Sequence, residues 1–185
     1  PNFLQLGRLT ETGLTLLIAA VPWRFKLSGQ DKAHLKKLPD TLKFCVHGFN
    51  HISHAKEAGG HTEYPADRPA PKVKQELDYG YNLLQEELSE RFVPVFVPPW
   101  NYIAPEHLNT LSDNGFKFVS GGIDRPQPVN DNLTFLTAHV DILNYNDDIV
   151  YPMKDISRLD EEVVTRIQEQ IEQSPDKSPV LCILS

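Results

Sequence analysis

The stretch KFCVHGFNHISHAKEAGGHTEY, residues 43–64, holds His47, His51, His54 and His61, four of the seven histidines in the chain. Imidazole is the commonest protein ligand for zinc and titrates near neutral pH, so such a cluster can hold a metal or move a proton. His47 and His51 stand four apart, and Gly48 between them frees the backbone to turn. The helical zinc motif H-E-x-x-H is absent, because the segment reads H-G-F-N-H. By spacing alone it reads equally well as a two-ligand metal pair or as a solvated polar loop. A hydrolytic metal centre also needs a third ligand and a general base. Asp141, just beyond His139 in LTAHVDI, is the best in-chain candidate. His54 and His61 are expected either behind the ligands or on the surface, and His34 and His107, on helix-patterned stretches, on the surface.

Such residues need elements that present them. LTLLIAAVP (14–22) is a continuous apolar run ended by proline, the pattern of a strand buried on both faces. SGQDKAHLKKL follows with helix-like spacing, then LKFCVHG (42–48) as a strand, then a His- and Pro-rich loop to about Pro71. KVKQELDYGYNLLQEELSERF (72–92) is the clearest helix, with Val73, Leu77, Tyr81, Leu84 and Leu88 on one face. VPVFVPPW (93–100) is a strand stopped by a Pro-Pro pair, and APEHLNTLSDNG a short helix. FKFVSGG and NLTFLTAHVDI (132–142) read as strands, DISRLDEEVVTRIQEQIEQ (155–173) as a helix and PVLCILS (179–185) as a closing strand. Strands alternating with helices argue for an α/β fold with a parallel sheet or barrel. Such folds place chemistry at the C-terminal ends of the strands. There stand His47 and His51, then Pro98-Pro99-Trp100-Asn101, then His139 and Asp141.

Bulk properties narrow the classes. A chain of 185 residues fits one domain with a sizeable core, and 40% hydrophobic content is ordinary for a globular protein. A formal net charge of -7 with no basic block argues against nucleic-acid binding. The longest apolar run, LTLLIAAVPW, is too short to span a bilayer. Cys45 and Cys182 sit inside apolar runs at no metal or redox spacing, as buried reduced thiols would. No G-x-S-x-G elbow and no glycine-rich phosphate loop is present, so serine hydrolysis and nucleotide chemistry have no foothold.

Several of these segments resemble the polysaccharide deacetylase-like (NodB-homology) superfamily, in a divergent branch. VHGFNHISH resembles its histidine motif, FVPPWN its groove-lining segment, and LTAHVDILNY a later strand motif ending in Asp and an aromatic residue. PVLCILS resembles the strand that leads, in the family, into a histidine. The resemblance implies a distorted parallel (β/α) barrel and hydrolysis of N- or O-acetyl groups on a carbohydrate-like or other small acylated substrate through a metal-bound water. It makes His47 and His51 ligands of a divalent metal, zinc first among them, and places Pro99, Trp100 and Asn101 in the substrate groove. His139 and Asp141 are the catalytic candidates the chain contains. The family's Asp-Asp motif is not found near residue 1, its catalytic histidine would follow Ser185, and Val97 stands where the groove arginine usually does. The expectation is therefore one domain, 1–185, lacking its first strand and the segment after its last. The alternatives are a catalytically inactive carbohydrate-binding or regulatory module on the same fold, or a metal-dependent hydrolase of a non-sugar amide. A cytoplasmic location is expected, with secretion left open; substrate identity and oligomeric state are unspecified.

Overall fold

The computed structural model describes residues 15–56, 60–121, 130–137, 140–141, 165, 168–169, 172 and 183–184. They belong to two compact units, one within Pro1–Ser120 and Gln127–Phe135, the other within Gly121–Pro126 and Leu136–Ser185. The first unit carries most of the described chain.

Its elements alternate as the hydrophobic pattern requires. Strand β1 (Leu16–Ala20) leads to helix α1 (Gly29–Leu35), then β2 (Leu42–His47), α2 (Ala70–Leu88), β3 (Phe92–Val97), α3 (Leu108–Asp113) and β4 (Phe118–Gly121). Strand β5 (Thr134–Thr137) completes a five-stranded sheet of order β1-β2-β3-β4-β5, parallel at β1–β2, β2–β3 and β3–β4. Parallel neighbours need crossovers, and α1, α2 and α3 supply them. All strand C-termini of these pairs therefore lie on one edge, where the loops after β2 and β3 emerge.

Local chemistry explains the boundaries. α1 starts at a capping box: Ser28 Oγ accepts from Asp31 N at 3.1 Å, and Asp31 Oδ2 accepts from Ser28 N at 2.9 Å. α2 begins after Pro69 and runs to Leu88, where Ser89 turns to φ 48° and a 3₁₀ turn, Ser89–Arg91, leads into β3. α2 buries Val73, Leu77, Leu84 and Leu88 against Leu42, Val46, Phe96 and Phe116 of the core, each contributing roughly 1.5–3 kcal/mol. Gly80 lies where an added Cβ would fall 2.9 Å from Pro22 Cγ, so α2 packs this close to the chain behind β1 only with glycine there.

Pro94, inside β3, has no N–H for the ladder. The register answers this: β2 advances from Phe44 to Val46 while β3 advances from Phe92 to Phe96, an irregularity that spans the proline.

β1 differs from its expected burial on both faces. Leu16, Ile18 and Ala20 pack on the core while Leu17 is 38% exposed, because strand side chains alternate and only one set meets α2 and β2. His107 differs too, for it is buried rather than superficial: Nε2–H donates to Pro65 O at 2.8 Å, which satisfies one ring nitrogen, while Nδ1 is buried without a hydrogen-bond partner among the described residues. Cys45 is a buried reduced thiol, as expected; Cys182 lies outside the described residues.

In the second unit β6 (Val140–Asp141) pairs in parallel with β7 (Ile183–Leu184), and Thr165, Gln168, Glu169 and Glu172 are helical and exposed. Of the run expected as one strand over 132–142, the described residues form β5 and β6. No helix among the described residues is long and apolar enough to cross a membrane.

Candidate functional site

His47 is the last residue of β2, so the sheet itself aims it at the C-terminal edge. Its Nδ1–H donates to Val97 O, 2.9 Å away at the matching end of β3. That bond fixes the tautomer and leaves the lone pair on Nε2, the usual arrangement behind a metal-ligating histidine. Burial holds the His47 imidazole below its usual range; the bond to Val97 opposes this and neighbouring His51 adds to it. A neutral ring is the form that can coordinate.

After His47 the chain reverses through Gly48 at φ 57°. A Cβ there would overlap Glu63 Oε2 and lie 2.5 Å from Pro99 Cγ, so this position admits only glycine without rearrangement. Glu63, fully buried, sits beneath the turn. Its Oε1 accepts from Asn50 N at 2.8 Å and from Phe49 N at 3.2 Å, and its Oε2 from Phe49 N at 3.1 Å. Consecutive N–H groups converging on one anion form a backbone nest. Burial pushes the Glu63 carboxyl up, while these N–H donors and nearby Arg68 pull it down.

The nest delivers His51, at φ 58°, beside His47 with ring centroids 5.0 Å apart. His51 in turn lies 4.5 Å from the Trp100 ring, and His61 stacks on the same indole at 5.7 Å and 23°. Trp100 and Asn101, in the turn after β3, both take left-handed conformations, φ 53° and 55°. For a residue as bulky as tryptophan that is an outlier, and strain of this kind, on the order of 1–3 kcal/mol, gathers at functional sites. Two prolines, Pro98 and Pro99, set the approach to this turn, and Asn101 N donates to Pro98 O at 3.0 Å.

Behind the rim the segment carrying His61 and Glu63 is strapped down. Thr62 Oγ1 donates to Tyr102 O at 3.1 Å and Ala104 N to Tyr64 O at 3.0 Å. Arg68 donates Nη1 to Glu63 O and Nη2 to Glu76 Oε1 of α2, both at 2.8 Å, with its guanidinium over the Tyr64 ring. Both charged side chains are under a tenth exposed, so each neutralises the other's burial.

The structure thus brings together five residues singled out from the sequence: His47, His51, His61, Pro99 and Trp100. Asn101 shares the turn with Trp100. His54 is exposed, tied through its backbone N–H to Thr62 O at 2.8 Å. Its pKa is lowered by burial and then by Arg68. Among the described residues no third His, Cys, Asp or Glu joins the pair in a group that could hold a metal. Asp141 has its backbone in β6 of the second unit, with its side chain outside the described residues, as is the whole of His139. Sequence reasoning missed Glu63, Glu76 and Arg68. A buried carboxylate in HTEY carries no local signal, because its partners are amides more than ten residues away.

No family model matches the sequence, and neither does any curated protein. Among solved structures the chain is similar to the "putative polysaccharide deacetylase from Mycobacterium smegmatis", with a TM-score of 0.65 at 14% identity. The match covers 97% of this chain and 60% of that one, so the chain spans about three fifths of that protein's length. The likeness is one of fold, and it agrees with the resemblance read from the sequence: over the matched part this chain shares the fold of that protein.

Proposed function

We propose that this chain carries part of the active site of a metal-dependent hydrolase that removes acyl groups from a carbohydrate-like substrate. The described sheet, on this reading, is one arc of a distorted (β/α) barrel. The observation that carries the proposal is the His47–His51 pair at the C-terminal end of a parallel strand, with His47 Nδ1–H committed to Val97 O and its Nε2 lone pair left over. Imidazole nitrogen suits zinc, and His47 and His51 would be the ligands. A divalent cation held there supplies Lewis-acid chemistry for acyl hydrolysis.

The remaining work falls to the chain's own residues. Trp100, with His61 stacked on it, forms an aromatic wall beside the pair, the kind of surface on which a sugar ring packs. Pro99 walls the turn from behind Gly48 and keeps it rigid. Asp141 and His139 are the residues proposed for proton transfer.

Zinc titration against a chromophoric chelator tests the reading, comparing wild type with His47→Ala and His51→Ala. The expected result is one zinc per wild-type chain, with binding lost in His47→Ala and weakened at least about tenfold in His51→Ala. Equal zinc content in all three proteins would remove the central claim. The non-catalytic alternative, a carbohydrate-binding module, draws on the Trp100–His61 wall alone. It requires oligosaccharide binding that survives both histidine substitutions.

A further inference from the structure

Glu63 is buried, charged and adjacent to the histidine pair, yet the proposed chemistry does not use it. It cannot meet a substrate, since the side chain is fully enclosed. What it meets is the backbone that carries His51: the amides of Phe49 and Asn50, and the concave side of Gly48. Its own main chain is held by Arg68, which Glu76 anchors to α2. A line of contacts thus runs from α2 through Arg68 and Glu63 to the turn between His47 and His51.

We propose that Glu63 is a positioning residue that prebuilds the metal pair. Its carboxylate fills the Phe49–Asn50 nest and so holds the turn in the left-handed geometry that places His51 beside His47. This rests on the reading of His47 and His51 as metal ligands. Without Glu63 two part-buried N–H groups lose their acceptor, and the turn has no reason to keep Gly48 and His51 both at positive φ. The pair would then be assembled at the moment of binding, with the ordering entropy charged against metal affinity.

The test is zinc affinity, measured by chelator competition on the intact chain, for wild type, Glu63→Ala, Glu63→Gln and Leu84→Val. Glu63→Ala is expected to bind zinc about 10–100-fold more weakly than wild type. Glu63→Gln, which keeps one acceptor oxygen over the same amides, should recover part of that loss. Leu84→Val loosens the core away from the rim and should bind zinc like wild type, which separates positioning from general destabilisation. Equal affinity in wild type and Glu63→Ala overturns the proposal while leaving the metal reading intact. No zinc binding by wild type overturns the metal reading itself. Should Glu63→Ala fail to fold, amide hydrogen exchange in the metal-free wild type decides. Protected amides at Phe49 and Asn50, within a half-exposed loop, support the nest; exchange at free-loop rates overturns it.

Discussion

The two ends of the parallel sheet are each secured by one buried ion, of opposite sign. At the C-terminal edge the Glu63 carboxylate gathers the N–H groups of Phe49 and Asn50. Near the N-terminal end of β3 the Arg91 guanidinium gathers carbonyls, with Nη1 to Pro39 O at 2.8 Å and Leu42 O at 3.0 Å and Nη2 to Leu38 O at 2.7 Å. Both ions are held mainly by backbone partners: the side-chain charge nearest Arg91, Asp40 Oδ1 at 3.5 Å, is exposed, and Arg68 reaches the Glu63 main chain rather than its carboxylate. Their settings differ, however. Arg91 holds an ordinary turn between α1 and β2, with no left-handed non-glycine residue there. Glu63 holds a turn next to His51, Trp100 and Asn101, three of the five positive-φ non-glycine residues among those described. The N-terminal end has one such residue, Ser89, two positions before Arg91, whereas the C-terminal edge gathers three of them around its candidate side chains.

This contrast is breakable. Arg91→Ala should have the largest effect on folding, a loss of about 3 kcal/mol, because three carbonyls lose their donor in a buried place. Urea unfolding would measure it, and zinc affinity should not move; a parallel fall in zinc affinity would mean that the two ends are coupled. Gly48→Ala comes next, at roughly 2 kcal/mol from the positive φ and the overlap with Glu63. Unlike Arg91→Ala, it should weaken zinc binding together with stability. Trp100→Gly should change stability by no more than about 1 kcal/mol, since relief of the left-handed strain offsets lost packing. Calorimetric titration with a soluble acetylated oligosaccharide should show binding lost in this variant, and undiminished binding would remove the aromatic wall from the site.

The smallest effect lies in pH. Burial lowers the His47 pKa in the folded state, so the unfolded chain takes up the proton first as pH falls. The metal-free protein should lose stability below about pH 6.5, with His54 adding in the same direction. Above that window the contribution is complete and flat. Glu63 has the opposite sign in a lower window. Its folded pKa is raised, so its contribution is full below the usual carboxylate range and is lost as pH rises through it. Unfolding curves across about pH 4 to 7 for wild type and His47→Gln check this, since the substitution should flatten the upper slope alone.

Much of the frame was legible beforehand. The runs LKFCVHG and VPVFVPPW became β2 and β3, and the helix expected over 72–92 became α2 with its ending at Leu88. Apolar spacing reports which residues must leave water, and that requirement is nearly local. His107 shows the limit, because a histidine on a short helix looks superficial until a distant carbonyl, Pro65 O, is there to receive its proton. Glu76 shows it again: on a helix wheel it belongs to the polar face, and Arg68, with Lys72 at 3.6 Å, makes its burial tolerable.

What the sequence determined by itself was the alternation of strands and helices, and with it the edge at which His47, His51 and Trp100 would meet. That follows from hydrophobic period and from the direction of parallel strands. Tertiary structure decided which of the four imidazoles pair, which tautomer His47 takes and which carboxylate holds the turn. Each of these depends on a hydrogen bond between segments far apart in sequence, such as Val97 O for His47 and the Phe49 and Asn50 amides for Glu63. Such bonds are set by the register of neighbouring strands and by the packing of α2 beneath them, and a residue's immediate neighbours in the chain encode neither.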